Sequence, residues 1–107
     1  MTRVRVEAGI CGFSTTVEVN KTGRRRVSVV LSSDCEMVAS MNGQLQDLEW
    51  LEVLGPPTDS AGWDCACEHL KHPSCPVPTA ILKAIEVELE LALPKDVVIH
   101  FEDPESR

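Results

Sequence analysis

The sequence has few aromatic residues, no long apolar run and no excess of positive charge. Its 107 residues include two Trp, two Phe and no Tyr. The core must therefore be built from aliphatic side chains. No apolar stretch reaches about 18 residues, which argues against a membrane-spanning helix. A net charge of −7 argues against nucleic-acid binding, because contacts with phosphate dominate that binding.

These numbers describe an ordinary globular protein. A length of 107 residues is enough for one modest core, and 43% hydrophobic and 25% charged residues are typical of a folded domain. The first residues alternate polar and apolar and contain no signal-peptide core. We therefore expect one cytoplasmic domain over residues 1–107, with a flexible tail from about residue 103 and no nucleic-acid or membrane partner.

Hydrophobic periodicity predicts an α+β fold. Alternation predicts strands over residues 3–9, 13–19 and 27–31, with a hairpin turn at 20–23. Helical spacing follows at 35–41, 45–54 and 63–70, and then in a long helix from 77 to about 91 that Pro94 ends. Val97, Ile99 and Phe101 predict a last strand. The expected architecture is a three-stranded antiparallel sheet, helices packed on one face, and a short C-terminal strand.

Five cysteines are the chemically informative feature. An odd number fits poorly with a closed set of disulfides, and thiols in the cytoplasm more often serve metal or redox chemistry. Cys11 lies between two glycines and two predicted strands, Cys35 follows the third strand, and Cys75 precedes the long helix. Because the ends of neighbouring elements can meet in space, we expect these three thiols to bind zinc or an iron–sulfur cluster.

A fourth ligand is available near Cys75. His72 and His69 are imidazole candidates, and Cys67 or Cys65 could supply another thiolate. Cys65 and Cys67 could also form a strained, easily reduced disulfide. The alternative function is thiol-redox or sulfur-transfer chemistry, with Cys75 as the nucleophile and His72 as its base. A second alternative is a metal-free interaction module.

The layout resembles the U-type iron–sulfur scaffolds, the IscU/NifU-like family. The matching segments are Cys11-Gly12, Asp34-Cys35 and the segment from His72 to Cys75, over about residues 8–92. The resemblance implies an IscU/NifU-like fold, an iron–sulfur cluster or zinc as cofactor, and a possible protein partner in sulfur or metal handling. Phe13 stands where that family has Asp, and the chaperone-docking Leu-Pro-Pro-Val-Lys motif is absent.

A second resemblance is closer and carries no activity with it. The sequence is similar to a family of small uncharacterised bacterial and archaeal proteins with a Gly-x-Cys-Gly-Phe start and a Cys-Pro-Val-Pro segment. Here these are residues 9–13 and 75–78. We therefore expect a metal-binding, scaffold-like protein that handles zinc or an iron–sulfur cluster rather than turning over a small substrate. The sequence leaves the oligomeric state open.

Overall fold

Four antiparallel strands form one sheet in the computed structural model, which describes residues 1–105. The strands lie side by side in chain order. They are β1 (Thr2–Glu7), β2 (Ser14–Gly23), β3 (Arg26–Ser33) and β4 (Leu48–Glu49). The predicted flexible tail extends over Ser106 and Arg107, which lie outside the described residues.

Within the described residues, four α-helices complete the fold and confirm the α+β class. They are α1 (Glu36–Ala39), α2 (Trp50–Val53), α3 (Ala61–His69) and α4 (Val77–Glu88). A 3-10 turn at Pro57–Asp59 precedes α3. None of the helices between residues 1 and 105 has the length and apolarity needed to cross a bilayer.

The core lies between the sheet and α4, which packs across β1 and β2. Alternate residues of β2 and β3 are buried, among them Val17, Val19 and Val29. Ile81 and Ile85 are fully buried and one helical turn apart, so they lie on the same face of α4. The expected aliphatic core is therefore present, and the opposite face of the sheet carries mostly polar side chains.

The hairpin between β2 and β3 turns later than predicted. β2 continues to Gly23, and the turn consists of Arg24 and Arg25, with Arg25 at a φ of 58°. Arg25 lies over the Trp50 ring at 5.5 Å, and Arg26 donates hydrogen bonds to Asp47. These two contacts fix the arginine-rich segment at the turn.

The helix predicted over residues 45–54 is wrong in its first half. The Leu45 carbonyl accepts the Val29 N–H at 2.8 Å, and the Gln46 side chain donates to the Val29 carbonyl at 2.9 Å. This segment therefore runs along the edge of β3, and β4 follows it. An apolar residue at every third position fits both a helix and an extended segment on a sheet edge. Here the segment is extended because β3 has an edge whose backbone groups need hydrogen-bond partners. Only α2 is helical.

The helix α4 ends at Glu88, before Pro94 can end it. Glu90 has a φ of 61°, the Leu91 N–H donates to the Glu86 carbonyl, and the Glu90 N–H donates to the Val87 carbonyl. These are the two bonds of a Schellman motif, which closes a helix with a residue in the left-handed region.

The predicted C-terminal strand does not form. Residues 92–103 have no regular secondary structure, and Val97, Ile99 and Phe101 are exposed by 57%, 80% and 93%. The Schellman turn directs the chain away from the sheet, so the alternating segment has no neighbouring strand. The sheet gains its fourth strand from residues 48–49 instead.

Glu88 ties α4 to the sheet. Its carboxylate accepts hydrogen bonds from the Thr2 hydroxyl at 2.8 Å and the Lys21 N–H at 3.1 Å, and the amino group of Met1 lies 3.3 Å away. Burial raises the pKa of Glu88, but these partners outweigh it and hold the pKa below its usual value. The C-terminal end of α4 is thus fixed beside the start of β1.

We expect Glu88→Gln to destabilise the protein by about 1–3 kcal/mol near neutral pH, because the partners lose a charged acceptor. The stabilisation by Glu88 is present above the unfolded-state pKa of 4.5 and is lost as pH falls through the lower folded-state pKa. Urea unfolding at a series of pH values should therefore show that the free energies of unfolding of the wild type and of Glu88→Gln become equal in acid. Glu86→Gln on the same helix is the control. A difference that persists unchanged in acid would contradict the assignment.

Candidate functional site

Cys11 lies in a tight, exposed loop between β1 and β2. Gly9 and Gly12 have φ values of 85° and 74°, and the Gly12 N–H donates to the Gly9 carbonyl at 2.9 Å. Both glycines adopt a backbone conformation that other residues rarely take, so they are required for this turn. The thiol of Cys11 is exposed to solvent.

Cys35 lies directly after β3, at the N-cap of α1. Its own N–H donates to the Ser33 hydroxyl at 3.1 Å, and the Asp34 N–H donates to the Ser14 carbonyl at 3.3 Å. No side-chain hydrogen bond caps this end of α1. With four residues, α1 is only about one turn long, so a helix dipole gives a Cys35 thiolate little stabilisation.

The strand register places Cys11 and Cys35 at the same end of the sheet. Glu7 pairs with Ser14 across the loop that carries Cys11. Thr15, the next residue, pairs with Ser33 at the end of β3. The hydrogen bond from Asp34 to Ser14 joins the two segments directly. The two thiols therefore lie on neighbouring loops.

The direction of α4 brings Cys75 to that end as well. Glu88 fixes the C-terminal end of α4 beside Thr2, at the opposite end of β1. A twelve-residue helix is about 18 Å long, close to the length of a six-residue strand. The start of α4 therefore lies toward the end of the sheet that carries Cys11. Cys75 precedes this start by two residues and packs, half-buried, against the core.

Shared placement does not yet amount to a formed metal site. Within residues 1–105 no group of three or more His, Cys, Asp or Glu side chains has the geometry to hold a metal ion. Cys35 and Cys75 are half-buried and both contact the core, whereas Cys11 is on an exposed loop. Closing a shell around an ion would therefore require side-chain or loop rearrangement.

The predicted fourth ligands have different environments. His72 is exposed in the connection between α3 and α4, and its backbone carbonyl accepts the Cys75 N–H at 3.5 Å. Cys67 is exposed on α3. Both belong to the segment that leads into α4. The contact of His72 with Cys75 runs through the backbone and leaves its imidazole free of hydrogen bonds in the described chain.

Cys65 differs from the other thiols because it belongs to the core. It is only 7% exposed, and burial, followed by the Glu68 carboxylate, raises the pKa of the Cys65 thiol. A buried, protonated thiol is a poor nucleophile and a poor metal ligand. Its half-buried neighbour on the next helical turn is His69, whose Nδ1 lies 2.9 Å from the Cys65 carbonyl oxygen.

The His69 contact was not anticipated, although its i to i+4 spacing is visible in the sequence. A carbonyl oxygen can only accept, so Nδ1 of His69 must carry the proton of this hydrogen bond. In a neutral ring this leaves Nε2 with a free lone pair, the arrangement typical of histidine metal ligands. His69, one of the imidazole candidates for the fourth ligand, is the last residue of α3.

A shallow groove of about 350 Å³ lies elsewhere, between α2 and α4. It is lined by Trp50, Val53, Leu54, Gly55, Leu82, Glu86 and Leu91. No cysteine or histidine lines it, so it adds nothing to the thiol chemistry.

Residues 2–101 match the profile of a protein family that is described as a family of unknown function (DUF6951). The chain belongs to this family. The match covers nearly the whole chain, which confirms the expectation of an uncharacterised family. Among curated proteins and among solved structures, no match was found. The family itself assigns no activity, so the chemistry has to be argued from the residues.

Proposed function

We propose that the protein binds a soft metal centre, zinc or an iron–sulfur cluster, through Cys11, Cys35 and Cys75. The observation that carries the proposal is the convergence of three separate thiol-bearing segments on one end of the sheet. The strand register and the Asp34–Ser14 hydrogen bond join the segments of Cys11 and Cys35, and the direction of α4 brings the segment of Cys75 toward the same end. Thiolates are the preferred protein ligands of both centres.

The environment of the three thiols also supports binding. Cys35 and Cys75 are half-buried beside the core, where a bound ion would be shielded on one side. Cys11 is on a glycine turn with open space around both glycines, so the loop can approach an ion without a clash. The IscU/NifU-like resemblance rests on the same three positions. On this proposal, the bound metal orders the end of the sheet at which Cys11, Cys35 and Cys75 lie.

The fourth ligand comes from the end of α3 or from the connection between α3 and α4. His72 and Cys67 are exposed there, and the hydrogen bond of His69 uses Nδ1, so Nε2 is the atom of that ring available to an ion. Cys65 is left out because it is buried and its pKa is raised. The scaffold-like role, with a protein partner in sulfur or metal handling, belongs to the same proposal.

Thiol exchange at Cys75 has less support. Its proposed base, His72, contacts Cys75 through a backbone carbonyl, and the disulfide considered between Cys65 and Cys67 would involve the buried Cys65. A metal-free interaction module remains the outcome if the thiols bind nothing.

Cobalt titration of the reduced protein tests the proposal. Co²⁺ is a spectroscopic substitute for zinc, and thiolate ligation should produce an intense near-ultraviolet charge-transfer band that saturates at one equivalent and releases protons. Zn²⁺ should displace the bound Co²⁺, because thiolate sites of this kind bind zinc more tightly than cobalt. A titration without a thiolate band would contradict the proposal.

A further inference from the structure

The segment after α4 is a row of exposed apolar side chains. Leu93, Val98, Ile99 and Phe101 are exposed by 86%, 79%, 80% and 93%. Large apolar side chains scattered singly on a surface are common, but a contiguous run of them marks an interaction site.

Its sequence has the pattern of a strand. In an extended conformation Val97, Ile99 and Phe101 lie on one face, whereas Val98, His100 and Glu102 lie on the other. Such a segment can add to a sheet that has an open edge, since main-chain hydrogen bonds then satisfy its backbone.

β1 is an edge strand of the sheet, and within residues 1–105 it pairs only with β2. At the other side of the sheet, β4 covers the start of β3, and the rest of the β3 edge is occupied because Leu45 and Asn42 accept the N–H groups of Val29 and Leu31. β1 places Val4 and Val6 on the face that α4 covers and Arg3 and Arg5 on the other.

We propose that the segment Val97–Phe101 adds as an antiparallel strand to the outer edge of β1 in a second copy of this chain. With Ile99 opposite Val6, Phe101 lies opposite Val4 and extends the apolar face under α4. The same register sets Glu102 opposite Arg3, so apolar residues and opposite charges are matched together. An exchange of segments by two copies about a two-fold axis gives a closed dimer.

The direction in which the segment must run along β1 favours pairing with a second copy over pairing with the chain's own sheet. Glu88 holds the end of α4 beside Thr2, so the chain that leads to the segment leaves α4 near the first residues of β1. Folding back on its own β1, it would run parallel to that strand. The antiparallel register requires entry from the end near Glu7, which a second copy provides.

Light-scattering mass measurement on the full chain tests this, with reductant and chelator present to exclude disulfide and metal bridges. The wild type should have about twice the monomer mass of 11.7 kDa. Ile99→Lys should be a monomer, because it puts a charge on the buried face of the added strand. Val98→Lys, its neighbour on the outer face, should remain a dimer. Both side chains are exposed in the single chain, so neither change should unfold it.

Charge reversal tests the register. Glu102→Arg should weaken the dimer, because it places an arginine opposite Arg3. Arg3→Glu in the same chain should restore part of the dimer, the rest being lost with the ion pair of Arg3 and Glu18 at 3.0 Å. A wild-type monomer, or equal effects of the two lysine variants, would overturn the proposal. A monomer in which residues 97–101 are protected from hydrogen exchange would instead assign the segment to its own sheet.

Discussion

Cys11→Ser, Cys35→Ser and Cys75→Ser should each reduce bound metal from stoichiometric to trace levels. A serine hydroxyl is a hard ligand that stays protonated near neutral pH, so it cannot replace a thiolate on zinc or iron. Loss of groups that merely orient a ligand already costs about 10–100-fold in affinity, and loss of a ligand itself should cost at least as much. The measurement is metal analysis of each variant after identical purification.

The matched control is Cys65→Ala. Cys65 is a thiol of the same chain, but it is buried on α3 and its pKa is raised, so removing it should leave the metal content unchanged. Circular dichroism of all four variants would show whether each is folded. Equal metal content in the three serine variants and the control would remove the basis of the proposed site.

Ile81→Ala should destabilise the protein by about 2–5 kcal/mol, which is the usual cost of a cavity at a fully buried aliphatic position. Ile81 is completely buried where α4 packs on the sheet. Because small domains are stable by only about 5–15 kcal/mol, this change removes a large share of the total. The midpoint of urea unfolding measures the effect.

Lys83→Ala on the same helix is the control for this prediction. Lys83 is exposed, so its replacement should change the free energy of unfolding by less than about 0.5 kcal/mol. Ile81→Val should give an intermediate loss of about 0.5–1.5 kcal/mol. Equal midpoints for Ile81→Ala and the control would contradict the placement of α4 over the sheet.

The strands β1 to β3 were predictable because local pattern and tertiary environment agree there. Within β2 and β3 the apolar residues alternate with a period of two, and the burial of Val17, Val19 and Val29 follows that period. The spacing of Ile81 and Ile85 likewise predicted the buried face of α4. The ends of elements at which Cys11, Cys35 and Cys75 lie were also correctly anticipated.

The errors arise where an apolar pattern fits two environments. Leu45 and Leu48 fit a helix, but the unpaired edge of β3 holds this segment extended. Val97–Phe101 alternate as a strand should, yet the turn at Glu90 directs them away from the sheet. Neither the open edge nor the turn can be derived from a residue's own neighbourhood.

For the candidate site, the sequence predicted only which elements carry the thiols, and not their burial or the distances between them. Sequence spacing indicated which elements carry the thiols, but burial separates them into classes: Cys65 belongs to the core, and Cys35 and Cys75 lie at its boundary. The hydrogen bond that fixes the His69 tautomer depends on helix geometry that composition does not reveal. Ligand distances depend on loop conformation, which is weakly determined by local sequence.

Metal and acid-labile sulfide content of the full chain, purified without oxygen, tests the central claim most directly. The account predicts stoichiometric zinc, or iron with equimolar sulfide and a visible chromophore, in the wild type. A zinc result would identify a thiolate zinc site, and an iron and sulfide result would identify a cluster site. Protein that contains neither metal, and that takes up neither under reducing conditions, would contradict the account.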